Sequence, residues 1–404
     1  MAWQKVKLGD IATCIQPGPF GSQLHNSDYS ESGTPIIMPK DMIDGKISHS
    51  NLIFVGEEHT KRLCRHQVHA GNLMVARKGD VRKCVFITEN EDGWMTGSDC
   101  LKVALKENVC YPRFIYYQLR SPFIGRWLEK ISIGATMPSI NTGLLSSIEL
   151  VLPPLKEQKR IADILSAYDN LIENNQKQIK LLEEAAQRLY KQWFIDLRFP
   201  GHETTPIVDG LPEGWRKCRI DERFKTVLGG TPSRANPNYW NGNVAWINSG
   251  EVNNLRIMKA SEYITELALE KSATKMMPVH TTVLAITGAT LGQVSYTEIE
   301  TCANQSVVGI IDETELFSMY LYLFVSTNIK SMIGKATGGA QQHINKDIVN
   351  EYKIILPEEH IIKKMNALTA PLFNKIADCY RQIEKLTESR DRLLPKLMNG
   401  ELEV

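Results

Sequence analysis

Gly134-Ala135-Thr136-Met137-Pro138-Ser139-Ile140-Asn141 returns, about 204 residues later, as Gly338-Gly339-Ala340-Gln341-Gln342-His343-Ile344-Asn345. Leu152-Pro153 then falls on Leu356-Pro357 at the same offset. Upstream the offset drifts with loop length. Val75-Ala76-Arg77-Lys78-Gly79 faces Leu284-Ala285-Ile286-Thr287-Gly288, and Trp3 faces Trp215. A repeat of this size means one domain-sized unit used twice.

Each copy ends in a heptad pattern. Tyr168, Ile172, Asn175, Ile179, Leu182, Ala186, Leu189 and Trp193 step by four and three, which is an a/d seam. The same offset reaches Leu372, Ile376, Cys379, Ile383, Leu386, Arg390, Leu393 and Leu397. Two apolar stripes of equal length are most simply buried against each other, the other arrangement being two helices that each lie on their own domain. Full overlap of the seams in an antiparallel pair predicts Trp193 on Leu372, Ala186 on Cys379, Ile179 on Leu386 and Tyr168 on Leu397. It also sets Asn175 beside Arg390, where each can satisfy the other and fix the register. Pro371 interrupts the second stretch, and Ser166 with Asp169 three on looks like a capping start in the first. The pattern therefore predicts a short helix (156–165; 358–368), a break, and a long helix (167–197; 371–397).

A chain of 404 residues suits two or three domains, and 43% hydrophobic with 23% charged residues allows them globular cores. No apolar run approaches the roughly 20 residues that span a bilayer, and the first residues lack a signal-like core. The expectation is a cytoplasmic protein with no membrane contact. Eight cysteines lie scattered without a C-x-x-C pair, which predicts free, mostly buried thiols. His66 and His69 lack the partners of a zinc site, so neither a metal nor a cofactor is expected.

The fold class is mixed α/β: two tandem α/β domains, each followed by a long helix, the helices forming an antiparallel coiled coil with pseudo-two-fold symmetry. The boundaries read as a first domain over 1–154, a helical region over 155–199, a linker over 200–214, a second domain over 215–356 and a second helical region over 357–404. Strands are expected at Pro35–Met38, Leu73–Ala76, Val85–Thr88 and Ile148–Leu152, and helices at Pro112–Leu119 and Phe123–Lys130.

Net charge is only +1, but it is unevenly spread. Lys61, Arg62, Arg65, Arg77, Lys78, Arg82 and Lys83 face a single acid, Asp80, within one window. Arg216, Lys217, Arg219, Arg223 and Lys225 open the second copy, diluted by Asp221 and Glu222. Acidic charge sits on helices, as at Glu183-Glu184. Such excesses either neutralise phosphates or form a solvated face. No G-x-x-x-x-G-K-[ST] loop occurs. Asn236-Pro237-Asn238-Tyr239 approaches the signature of adenine methyltransferases, which stack an aromatic on a flipped base, but no glycine-rich cofactor loop accompanies it. Glu351-Tyr352-Lys353 reads as strand surface.

Loops of small and polar residues recur at matching places. Gly21 and Ser22 in the first copy answer Thr231, Ser233 and Arg234 in the second, and such loops let N–H groups and hydroxyls approach phosphate. Gln341, Gln342 and His343 add amides suited to adenine in the major groove, whereas the matching Met137-Pro138-Ser139 lacks them. The candidate DNA contacts are therefore Gly21, Ser22, Arg77, Lys78, Arg82, Lys83, Ser139, Thr231, Ser233, Arg234, Gln341, Gln342 and His343.

Pro153-Pro154-Leu155-Lys156-Glu157-Gln158-Lys159-Arg160-Ile161-Ala162, Leu189-Tyr190-Lys191-Gln192-Trp193-Phe194-Ile195-Asp196-Leu197-Arg198-Phe199-Pro200-Gly201 and Leu394-Pro395-Lys396-Leu397-Met398-Asn399-Gly400-Glu401-Leu402 resemble the conserved regions of type I restriction-modification specificity subunits. Gly230-Thr231-Pro232-Ser233, Tyr239-Trp240 and Gly250-Glu251-Val252 resemble the start of a target recognition domain, so the resemblance covers the whole chain. It implies a non-catalytic reader of double-stranded DNA. Each domain would bind one half of a bipartite, asymmetric site, with the helices holding them apart. Two methyltransferase subunits would dock on the chain, and motor-endonuclease subunits would join for cleavage. Leu356-Pro357-Glu358-Glu359-His360-Ile361-Ile362 departs from the Pro-Pro-Leu-x-Glu-Gln pattern, which affects the second docking surface. A helix of about 30 residues spans roughly 45 Å, so the domain centres are expected about 35–50 Å apart, one turn of B-DNA or somewhat more. A solitary DNA methyltransferase and a structural coiled-coil protein are the competing readings, separable by cofactor binding and by selection from random duplexes.

Overall fold

The structure is a computed structural model that describes residues 3–134, 137–334 and 343–404. It divides into two compact units, Met1–Leu171 with Leu386–Val404, and Ile172–Lys385. Each unit holds an α/β domain and a section of both long helices.

In the first unit the central sheet runs Ala12–Pro17, Cys100–Leu105, Leu73–Ala76 and Cys84–Phe86, antiparallel throughout. Leu73-Met74-Val75-Ala76 is buried on both faces, which explains a continuous apolar run instead of alternation. A second sheet pairs Met95–Thr96, Thr34–Ile37, Ile53–Val55 and Tyr29–Ser30, with Met95–Thr96 parallel to its neighbour. Gln4–Lys7 pairs with Glu149–Leu152. The helices Pro112–Leu119 and Pro122–Ile131 follow, the second capped by Ser121.

The second unit repeats this plan. Its main sheet orders Lys225–Leu228, Val307–Ile311, Thr282–Ala285, Val294–Thr297 and Arg256–Ile257. A three-stranded sheet joins Glu262–Ile264, Trp240–Ile247 and Cys302–Ala303, the last pair parallel, and Arg216–Arg219 pairs with Lys353–Leu356. Gly309 sits on the fully buried central strand because a Cβ there would collide with Met277. Glu351 ends the helix Lys346–Glu351, not a strand as expected, and only from Lys353 does the chain extend.

The repeated Ile-Asn dipeptide has a physical reason. Asn141 caps the helix Thr142–Ser146 by accepting from Leu144 N at 2.8 Å, and Asn345 caps Lys346–Glu351 by accepting from Ile348 N at 2.9 Å. Ile140 and Ile344 are buried beside them. Gln158 is also explained. Its Nε2 donates to Pro153 O at 2.9 Å and its Oε1 accepts from Tyr111 N at 2.8 Å, tying the helix start to the domain. Ile362, at the matching place in the second copy, replaces this clamp by burial alone.

The long helices are continuous, contrary to the expected break. They run Leu155–Tyr190, followed by a π-helical turn Lys191–Ile195, and Glu359–Met398. Ser166 is no cap; its hydroxyl donates to Asp163 O within the helix. An interior proline sacrifices one backbone hydrogen bond, at about 3 kcal/mol. Pro371 and Ala367 both face solvent, so the freed carbonyl stays hydrated, while Met365, Thr369, Phe373 and Ile376 anchor the opposite face.

The helices run antiparallel, in a register different from the one expected. In the first unit Arg390 Nη1 donates to Asp169 Oδ1 at 2.7 Å, and in the second Cys379 Sγ approaches Gln178 Oε1 at 3.9 Å. Arg390 therefore meets a residue more than one turn before Asn175. Charge decides this: Asp169, also bonded by Tyr117 Oη at 2.7 Å, neutralises a half-buried guanidinium, which an amide cannot do. No seam position is exposed. Ile172, Asn175, Ile179, Ala186, Trp193, Ile376, Cys379 and Leu397 are buried; Tyr168, Leu182, Leu189, Leu372, Ile383, Leu386, Arg390 and Leu393 are partly so. Burying each large apolar side chain stabilises the pair by about 1.5–3 kcal/mol.

The aromatic residues of the Leu189–Gly201 motif prove to be core. Tyr190, Trp193, Phe194 and Phe199 pack with Trp215 and Tyr320 in the second unit, Phe194 lying 4.8 Å from Tyr320 between centroids. Glu183, one of the helix acids noted above, is buried: its Oε2 meets Arg256 Nη2 at 3.3 Å and its Oε1 accepts from Tyr322 Oη at 2.8 Å.

Candidate nucleic-acid interface

The two domains gather equivalent loops by equivalent backbone hydrogen bonds. In the first, Gly18 N donates to Cys100 O (3.1 Å), Gly97 N to Ile37 O (2.9 Å), Arg77 N to Asp99 O (2.7 Å) and Ile140 N to Arg77 O (2.9 Å). In the second, Gly229 N donates to Val307 O (3.0 Å), Asn304 N to Ile247 O (3.0 Å), Ile286 N to Ser306 O (2.9 Å) and Ile344 N to Ile286 O (3.1 Å). Each site thus assembles a glycine turn, the end of a central strand, the turn before its neighbour, and the segment leading to the Ile-Asn cap.

The first site holds Gly21 and Ser22, both exposed, with Gly21 at φ +61°. The Arg77 guanidinium stands over the Phe20 ring at 5.6 Å. Lys78 bridges Ser139 through the backbone, and its Nζ lies 3.0 Å from Asp99. Arg82 and Lys83 are drawn elsewhere. Arg82 Nε binds Asp80 at 2.9 Å and its Nη1 lies 3.2 Å from Glu129, while Lys83 Nζ donates to Pro39 O. Both line a cleft of about 520 Å³ with Arg120 and Arg126. The basic window is therefore less positive than its sequence suggested. Folding recruits Glu57 (to Lys61), Asp99 and Glu129 from outside it.

In the second site Thr231 Oγ1 donates to Gln305 Oε1. Ser233 is exposed, and its carbonyl accepts from Trp240 Nε1 at 3.2 Å. Arg234 lies 3.6 Å over the Trp240 ring and is bonded through Nη2 to Glu262 at 2.9 Å, which holds the Glu262 carboxyl below its usual range. His343 is exposed; Gln341 and Gln342 lie outside the described residues. Asn236 accepts from Asn238 N at 3.1 Å, and Tyr239 packs against the cluster around Trp246, so this motif is a surface turn anchored to the core through Tyr239. In the second basic cluster, Arg219 pairs with Asp221, Arg223 with Asp312 and Lys225 with Glu313.

His66, noted above only as lacking the partners of a zinc site, holds the first glycine loop. Arg65 Nε donates to its Nε2 at 3.1 Å, which leaves the ring proton on Nδ1 for Pro17 O at 3.0 Å. Burial, and then the Arg65 and Lys102 charges, push its pKa below the ordinary 6.5. The neutral form is thus favoured on folding. Its contribution is complete above about pH 6.5 and is lost as pH falls through the depressed native value. Hydrogen exchange of the 14–22 backbone is expected to quicken as pH falls below 6.5, after correction for intrinsic rates, and His66→Gln is expected to flatten that dependence. Equal pH dependence in both proteins would refute the role.

Among the described residues no cluster of three or more His, Cys, Asp or Glu could hold a metal ion, no helix is long and apolar enough to cross a membrane, and the cysteines are free thiols.

Two tandem α/β domains on paired helices, each with the same loop frame, define a duplicated recognition protein. The family model described as the type I restriction modification DNA specificity domain matches residues 2–184 and again 212–384, and the chain belongs to this family. It is 30% identical to the type I restriction enzyme MjaIX specificity subunit of Methanocaldococcus jannaschii, over 100% of this chain and 94% of that one. To the HindI specificity subunit of Haemophilus influenzae it is 22% identical, over 99% of each. The type I restriction-modification S subunit from M. genitalium shares the fold, with a TM-score of 0.61 at 14% identity, over 98% of this chain and 96% of that one.

Proposed function

We propose that this specificity subunit reads a bipartite, asymmetric site in double-stranded DNA, one half per domain, and directs adenine methylation and cleavage by partner subunits. Two methyltransferase subunits and the motor-endonuclease subunits supply that chemistry. The domains follow the boundaries 1–154 and 215–356, the helical regions 155–199 and 357–404 carry the seam, and 200–214 links the halves. One observation carries the reading: the same hydrogen-bonded loop frame occurs twice with unlike side chains. Phe20, Arg77, Lys78 and Ser139 occupy the first frame, while Thr231, Ile286, Thr287 and Gln305 occupy the second. A shared frame suits a shared ligand, and unlike groups suit unlike sequences. Selection from random duplexes with the methyltransferase partner present is expected to return two short unlike blocks around an unread spacer. A single block, a palindrome or no enrichment would refute it.

Position relative to the loop frame refines which cations meet phosphate. Lys78→Gln is expected to lower the log–log salt slope of DNA binding by about 0.9 and to weaken all sequences alike. Arg82→Gln and Lys83→Gln, which line the cleft with Arg120 and Arg126 and not the loop frame, are expected to change it less. The reverse ranking would move the DNA face to the Arg82 cleft.

A further inference from the structure

Phe20 is 53% exposed at the tip of the first site. A single exposed apolar residue means little on its own, since such residues are scattered over most surfaces. Three further features set this one apart.

The backbone beneath it is braced. A Cβ on Gly18 would collide with the Gly97 carbonyl, and one on Gly97 would reach within 2.5 Å of Ile37 O, so the glycine loop lies flat on its neighbour. Pro17 and Pro19 stiffen its approach. The ring is therefore presented by a fixed loop.

The ring also has a cation beside it. Arg77 sits 5.6 Å from the ring centroid, and its own backbone is clamped on both sides by Asp99 O and Ile140 N. That spacing lies between one and two base steps of about 3.4 Å. An Arg fork and an apolar ring so arranged match two contacts available on adjacent base pairs in the major groove: guanine O6 and N7 for the guanidinium, and a thymine methyl for the ring.

Finally, the second domain is different at the same place. Thr231 occupies the position of Phe20 in the glycine loop, with its hydroxyl on Gln305, and Ile286 occupies that of Arg77. If Phe20 served only to close the fold, the second frame, built from the same backbone bonds, would need its equivalent.

We propose that Phe20 and Arg77 form one reading pair for a thymine next to a guanine in the DNA half read by the first domain. This rests on the DNA-reading function above and adds the base chemistry to it. Phe20 supplies specificity through the thymine methyl, and Arg77 both reads guanine and holds the ring in place.

The test uses the full chain with its methyltransferase partner and the duplex selected above. Each thymine is replaced singly by deoxyuridine, which lacks only the methyl, and each guanine by 7-deazaguanine, which lacks only the N7 acceptor. Wild type is expected to lose roughly fourfold in affinity at one deoxyuridine position, the value of one buried carbon. It is expected to lose roughly fivefold or more at the neighbouring 7-deazaguanine. Phe20→Ala should be indifferent to the deoxyuridine and keep the guanine effect. Arg77→Gln should be indifferent to the 7-deazaguanine. Unchanged thermal midpoints would show that both variants fold. Wild type that tolerates every deoxyuridine, or Phe20→Ala that stays as sensitive as wild type, would overturn the pair while leaving DNA reading intact. Enhanced 2-aminopurine fluorescence at a step insensitive to deoxyuridine would overturn it too, showing a wedge between bases instead of a groove contact. Failure of wild type to select any duplex would instead sink the underlying function.

Discussion

Arg256→Ala is expected to destabilise the second unit by about 3–5 kcal/mol, the scale for removing one partner of a buried ion pair. Arg256 is 1% exposed, with its guanidinium 4.4 Å from the Phe373 ring and 4.7 Å from the Tyr322 ring. It lies 3.3 Å from Glu183 on the first long helix and 3.8 Å from Glu298 beside the sheet. Without it two carboxylates remain buried with no cation between them. Burial already pushes the Glu298 pKa above its ordinary 4.5, and Arg256 is the largest opposing influence. Losing Arg256 raises that value further, so the deficit should grow as pH rises above about 4.5 and shrink below it, where the carboxyl is protonated in both folded and unfolded chains. Hydrogen exchange resolved by peptide can confine the effect to 172–385. A triple Glu183→Leu, Arg256→Met, Glu298→Gln change should cost much less, because no charge is stranded. A loss below about 1 kcal/mol for Arg256→Ala would mean that water reaches the site.

Adding one heptad to both long helices is expected to lengthen the preferred DNA spacer by about three base pairs. Seven residues add roughly 10 Å at 1.5 Å each, while base pairs rise about 3.4 Å. The insertions belong between Asp169 and Gln178 and between Cys379 and Arg390, so that the Asp169–Arg390 and Gln178–Cys379 contacts are both preserved. A heptad keeps the seam on one face, whereas four residues would rotate it by about 40° and confuse spacing with unfolding. Duplex selection with parent and extended proteins reads the spacer directly. An unchanged spacer in a stable extended protein would show that the helices do not set it.

Much of this protein was legible in its sequence, because its strongest signals are local or periodic. The repeat places Ile140-Asn141 and Ile344-Asn345 at matching helix caps, a bond that spans only three residues. The a/d spacing placed every seam residue off the solvent face, since helical period alone decides which face a residue occupies. What failed needed partners distant in sequence. Pro371 predicted a break because the sequence shows the lost hydrogen bond but not the buried face that keeps the helix intact. Overlap of the seams set Asn175 beside Arg390. The fold instead chose Asp169, because a half-buried guanidinium requires a carboxylate, and only the tertiary structure brings that carboxylate within 2.7 Å. The basic window looked nearly unopposed until Asp99 and Glu129 folded onto Lys78 and Arg82. Composition and periodicity therefore determined the duplicated architecture and its loops. The charge left available at those loops, and the register of the helices, depended on side chains that meet only after folding.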